Sequence, residues 1–256
     1  MPWTFAHPAA ILPLRSLCPR WLSLPGLILG AMAPDLSYYV GMHGKWRAFC
    51  HTPEGIVTVC LPVCLLMLTL LLRFAGPLTV LLTEPHRTLV REQLRPPPHA
   101  VWRSVAVAVL SILLGAATHL LWDSFTHQGR WGAELLPELE EPLLDAMDRQ
   151  FHLSHLLQHL STAVGVTALA LVYRRTMRRW PLAAATPQDR QRRRLLLACL
   201  AVAAVVGAAS AYALTSATLP AYTSHLVVRT VVWSTSCFAV LFIAASMAWW
   251  RRMGDG

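Results

Sequence analysis

An all-α bundle that crosses a membrane about five times is the fold class this sequence predicts, and three observations predict it. Of its 256 residues, 55% are hydrophobic and only 14% are charged, an apolar share well above that of a soluble domain. Five stretches, 55–72, 104–122, 156–173, 195–214 and 230–250, are each long and apolar enough to span about 30 Å of hydrocarbon as a helix. The loops between them alternate between arginine-rich and arginine-poor, as a chain threading a membrane requires. None of the five alternates polar with apolar residues, which sets aside a β-barrel.

Residues 1–54 precede the first span. Their start has no basic leader and no small-residue cleavage site, so the chain reads as mature from residue 1. Segments 9–17 and 21–33 are apolar, but each is too short to cross alone, and Pro13, Pro19 and Pro25 interrupt them. These lengths fit a hairpin of two short helices that dips in from the outer face, with Arg15 and Arg20 at its tip. An interfacial helix pair or a single tilted span are the alternatives. Residues 55–174 then carry spans one to three with the candidate site, and 195–250 carry spans four and five, so 1–256 reads as a single membrane domain. Spans four and five show no evident chemistry, and Gly207, Ala208, Ala209 and Ser210 suit close helix contact. The cysteines Cys18, Cys50, Cys60, Cys64, Cys199 and Cys237 lack zinc-ribbon or disulfide-framework spacing and read as small core residues.

The formal charge of +9 does not call for nucleic acid, because the basic residues sit between hydrophobic spans and no nucleic-acid module is recognisable. Loop 73–103 holds Arg73, Arg87, Arg91, Arg95 and Arg103, and loop 174–194 holds eight arginines. Loop 123–155 holds only Arg130 and Arg149 against Asp123 and six further acidic residues, and loop 215–229 holds one arginine. The positive-inside rule therefore places the arginine-rich loops and the C-terminus in the cytoplasm. Nine histidines (His7, His43, His51, His119, His127, His152, His155, His159 and His225) then fall on or near the outer face, and His86 and His99 fall inside. Ionisable groups at membrane depth are costly and usually functional.

The sharpest pattern is Thr118-His119-Leu-Leu-Trp-Asp123-Ser-Phe-Thr126-His127, at the end of the second span. At 3.6 residues per turn, positions 119, 123 and 127 project from nearly one face. Imidazole and carboxylate on successive turns suit a borderline divalent metal such as zinc. A hydrogen bond from His119 to Asp123 that satisfies two buried groups is the equal alternative. His152, His155 and His159 form a second cluster at helical spacing where the third span begins; His152 reads as interfacial, whereas His159 lies one turn deeper beside Gln158. Before the first span, a hairpin from Pro8 to Pro34 would return Asp35 close to His7, and His51 sits immediately outside span one. Each alone is an ordinary turn or helix-start signal. Together they land on one side.

Phe5-Ala-His7-Pro-Ala-Ala, Met32-Ala-Pro-Asp35, Cys50-His51-Thr52 and the His119-to-His127 motif resemble an uncharacterised bacterial membrane family, "domain of unknown function 4184". The resemblance covers nearly the whole chain, including the Gln158-His159 region. More distantly, the order His, Pro-Asp, His-Thr, His-x-x-x-Asp is similar to that of membrane-bound metal-dependent hydrolases related to zinc-dependent phospholipase C. That likeness implies His7, Asp35, His51, His119 and Asp123 as ligands of a divalent metal, with zinc the first choice. Fewer ligands are recognisable than in the soluble phospholipases, and there is no nucleophile elbow or phosphate-binding glycine loop.

The leading expectation is a metal-dependent hydrolase of the bacterial inner membrane, acting near the outer face on a lipid or other phosphoester. In it His127 or His159 is a further ligand or moves the proton. A transporter that relays protons or cations through the same residues, or a protein holding haem or metal without catalysis, for instance through His119 and His159, are the alternatives. Membrane lipid is the expected partner.

Overall fold

The computed structural model describes residues 3–17, 21–42, 44–95, 101–146, 149–179, 186–215 and 222–254. Among them are five helices long and apolar enough to cross a membrane: Pro53–Arg73, Arg103–Thr126, Leu153–Arg179, Asp189–Leu214 and His225–Met253. All five expected spans are present, and the chain is an all-α membrane protein. The helices overrun the apolar stretches because polar turns continue them; span three, for example, runs on through Arg174, Arg175, Arg178 and Arg179. Leu66, Val205 and Val240, more than 60% exposed, lie on the faces left for lipid.

The described residues form two compact units, one of residues 1–69 and 97–178, the other of 70–96 and 179–256. In the first, the N-terminal segment folds as the expected pair of short helical arms. One arm is a 3-10 helix, Thr4–Ile11, continuing as Leu12–Leu17; the other is Leu24–Met32, which leads through the turn Ala33–Asp35 into Leu36–Tyr39. Ser23 opens the second arm as an N-cap, its hydroxyl accepting from Gly26 N, with Pro25 in the first turn. Pro19, Arg20 and Cys18 lie outside the described residues.

The second arm packs along span two. Ser23 N donates to Ser111 Oγ at 2.8 Å, and the Arg103 guanidinium lies 5.6 Å from the Trp21 ring centre. Contact is closest where Gly30 meets the Ile112 carbonyl and Gly115 meets Leu27 and Ala31; a Cβ on either glycine would overlap backbone atoms. Small residues that let helix backbones approach are the usual packing device inside a membrane. Ile11, Leu22, Leu27 and Ala31 form the buried core between the arms.

Span one starts with Thr52, whose hydroxyl accepts from Gly55 N at 3.1 Å, with Pro53 in the first turn. The Thr-Pro pair is thus a helix start. A π-helical stretch, Ile56–Cys60, follows before regular α-helix resumes at Leu61. Cys50, Cys60 and Cys64 are buried, as expected of core residues, whereas Cys199 and Cys237 are half-buried.

The loop joining spans two and three holds a feature not expected from sequence, an antiparallel pair of β1 (Pro142–Ala146) and β2 (Arg149–His152). His152 therefore ends a strand, and span three begins one residue later at Leu153. The helical spacing read through His152, His155 and His159 holds only for the latter two.

In the second unit, spans four and five pack with Gly207 against the Ser234 backbone, the close contact expected of its small-residue stripe. Gly76, in the short helix Ala75–Thr79, meets the Trp250 ring. The buried Arg192 pairs with Asp189 at 2.9 Å, and Arg91 Nε donates to Thr79 Oγ1 at 2.8 Å.

Candidate functional site: a buried histidine and aspartate cluster

The first unit brings the five expected ligand residues together. His7 comes from the first arm of the hairpin, Asp35 from the turn after the second arm, His51 from the segment before span one, and His119 and Asp123 from span two. All are buried, His119 at 0%, His7 at 1% and His51, the most accessible, at 9%. His7 Nε2 lies 4.0 Å from Asp35 Oδ2 and 3.7 Å from Asp123 Oδ1. His119 Nε2 lies 3.3 Å from Asp123 Oδ2 and 3.8 Å from Asp35 Oδ1, and His51 Nε2 lies 3.3 Å from Asp35 Oδ1. The rings of His7 and His119 stack at 3.7 Å.

The backbone fixes which nitrogens face inward. His119 Nδ1 is 2.8 Å from Ala31 O, and His51 Nδ1 is 2.9 Å from Arg47 O. A carbonyl oxygen only accepts, so in each ring Nδ1 carries the proton and donates it. In the neutral ring Nε2 then presents a lone pair to the carboxylates, and His119 Nε2 is buried with no hydrogen-bond partner. The close approach of Gly30 and Gly115 is what sets the Ala31 carbonyl within reach of His119.

Two carboxylates buried among three imidazoles need matching positive charge, which imidazole protonation or a bound cation can supply. Two overlapping groups, His7 with His119 and Asp123, and Asp35 with His51 and His119, each keep their ligand atoms within 4.8 Å of one another and could hold a metal ion. Donors about 2.0–2.2 Å from one ion stand roughly 3–4 Å apart around it, which is the range of the separations above.

The charge states of His7 and Asp35 suit that chemistry. Burial, reinforced by His119, pushes the His7 imidazole down to about 2, so it stays neutral. Burial pushes the Asp35 carboxyl up, but hydrogen bonding from His51 and Thr4 and the neighbouring His119 and His7 outweigh it and hold Asp35 at about 2, ionised. Thr4 Oγ1 donates to Asp35 Oδ2 at 2.8 Å.

Of the two residues expected to take part in proton transfer, His127 stands beside the cluster. Its Nδ1 is 3.7 Å from Asp123 Oδ1 and 3.2 Å from the Asp123 carbonyl, and its side chain is 39% exposed. Gln158 Nε2 donates to His127 Nε2 at 3.0 Å. Burial pushes the His127 imidazole down against the pull of Asp123. His159 is exposed, so span three turns Gln158, not His159, toward His127. His155 Nδ1 accepts from His152 N at 3.1 Å, His225 is exposed in the second unit, and His43 and His99 lie outside the described residues. Thr4, Tyr38 and Arg47 were not singled out by the motifs, yet each sits one helical turn from a cluster residue: Thr4 before His7, Tyr38 after Asp35, Arg47 before His51.

Fold and site together define a multi-spanning α-helical membrane protein with a buried imidazole and carboxylate cluster near one end of its first two spans. The chain belongs to the family described as "Domain of unknown function (DUF4184)", whose sequence profile matches residues 1–247. No curated protein and no solved structure matches the chain. The likeness to metal-dependent hydrolases thus rests on residue order alone.

Proposed function

We propose that the chain is a divalent-metal-dependent hydrolase that acts on a lipid or other phosphoester at the outer face of the bacterial inner membrane. The observation that carries this reading is His119 Nε2, buried without a hydrogen-bond partner, 3.3 Å from Asp123 Oδ2 and 3.8 Å from Asp35 Oδ1, a placement that suits a ligand nitrogen. His7, Asp35, His51, His119 and Asp123 hold the ion. When bound, a zinc-type ion lowers the pKa of a water toward neutrality and polarises the ester. His127, in reach of Asp123 and of solvent and oriented by Gln158, moves the proton. The arginine-rich loops support an orientation with the C-terminus in the cytoplasm and the cluster on the opposite side.

Two other readings are less favoured. A proton or cation relay needs ionisable groups through the membrane depth, whereas among the described residues of the first unit they gather at the ends of the spans. Haem between His119 and His159 needs both rings to face one space, whereas His119 is buried under His7 and His159 is exposed.

The test uses the full-length protein in detergent micelles, loaded with zinc or manganese and given chromogenic phosphomonoesters and phosphodiesters. Hydrolysis is expected, chelator abolishes it, and Asp123→Ala abolishes it with loss of metal. His127→Gln is expected to lower the rate roughly 10²- to 10⁴-fold with metal retained. A metal-loaded wild type that hydrolyses none of these esters contradicts the proposal.

A further inference from the structure

Two arginines and a tyrosine stand beside the cluster. Tyr38 follows Asp35 by one turn, and its half-buried phenol lies within electrostatic range of Asp35, Asp123, Arg47 and Arg130. The Arg47 guanidinium lies 4.9 Å over the Tyr38 ring. Arg47 is tied to the site through its own carbonyl, which accepts from His51 Nδ1, and Arg130 reaches the His51 carbonyl with Nη1 at 3.5 Å. His51 is therefore flanked by both.

Neither guanidinium is matched by a carboxylate. Among the described residues no carboxylate lies within 4.0 Å of Arg47 or Arg130, although the loop carrying Arg130 is rich in acids. Glu140 of that loop accepts from Gly129 N. With Asp35 and Asp123 matched by one divalent ion, the two arginines leave the surroundings of His51 positive. Arg130 is one of only two arginines in loop 123–155, so its place beside His51 is not a by-product of membrane orientation.

Resting on the metal reading above, we infer that Arg47 and Arg130, with the Tyr38 hydroxyl, grip the non-bridging oxygens of a phosphate group on the substrate as it lies against the ion. The planar fork of arginine matches two phosphate oxygens at once, and the phenol donates a third hydrogen bond. Arg47 is held over Tyr38, so less freedom is lost when the phosphate arrives. The substrate is then a phosphate ester, and a carboxylate ester is disfavoured.

Titration of the full-length, metal-loaded protein in micelles tests this, with inorganic phosphate, short-chain phosphatidic acid and acetate as separate probes and metal content measured on every sample. Phosphate or phosphatidic acid is expected to bind, acetate to bind far more weakly, and Arg47→Gln and Arg130→Gln each to weaken phosphate binding roughly 10- to 100-fold with metal content unchanged. Arg47→Lys, which keeps the charge and loses the fork, is expected to recover part of the affinity. Tighter binding of phosphatidic acid identifies a lipid-borne phosphate, and tighter binding of inorganic phosphate a soluble one; either supports the inference. Unchanged phosphate binding in both glutamine variants at full metal content, equal binding of acetate, or no phosphate binding by the loaded wild type overturns it and leaves the metal site standing. A wild type that takes up no metal removes both.

Discussion

Thr4 is the simplest residue on which to test how the cluster is built. Its hydroxyl donates to Asp35 Oδ2, and a ligand carboxylate left without such a donor binds its ion less tightly. Thr4→Val is expected to lower metal affinity roughly 10- to 100-fold, read by competition with a chromophoric zinc chelator, while the helical signal in circular dichroism stays unchanged. The five clustered residues were legible in the sequence because each sits in a distinctive local pattern: His-Pro, Pro-Asp, His-Thr-Pro or an i, i+4 pair. Their supporting residues were not singled out, because Thr4, Tyr38 and Arg47 stand beside no motif of their own. One rule would have found them: look one helical turn to either side of each ligand. The side of span three that faces the cluster was harder to read. Gln158 and His159 are adjacent, and only the true helix start at Leu153, behind a strand that nothing in the pattern announced, settles which one turns inward.

At the scale of the element, the N-terminal hairpin does most to assemble the site. Its short arms cannot cross alone, but folded back they deliver His7 and Asp35 to within 4.0 Å of each other and lay the Ala31 carbonyl on His119. That docking depends on bare glycine faces. Gly30→Val is expected to drive the second arm off span two at a cost of about 1–3 kcal/mol, and to lose the cluster's metal although residue 30 touches no ligand. A fall in thermal stability together with loss of metal, measured on the same preparation, checks it; unchanged metal would separate hairpin packing from the site. The hairpin's existence followed from two apolar segments too short to span, each broken by proline. Its docking line did not, since Gly30 and Gly115 meet only in three dimensions.

Over the whole molecule, the alternation of loop charge and the position of the cluster make one joint statement about sidedness. Glu138→Cys, in the acidic loop, is expected to react with a membrane-impermeant maleimide in intact spheroplasts, and Gln188→Cys, in an arginine-rich loop, only after lysis. Both labelled from the same side would break the assignment. The five spans were fully readable, because length and hydropathy are properties of the sequence itself. The division of the described residues into two compact units was not, because it depends on which helices pack together. The most direct check on the whole account is the metal content of the purified full-length chain after exposure to zinc and removal of excess, measured by mass spectrometry beside His119→Ala. One tightly held ion per chain in the wild type and none in the variant is the result expected; equal, negligible metal in both would contradict it.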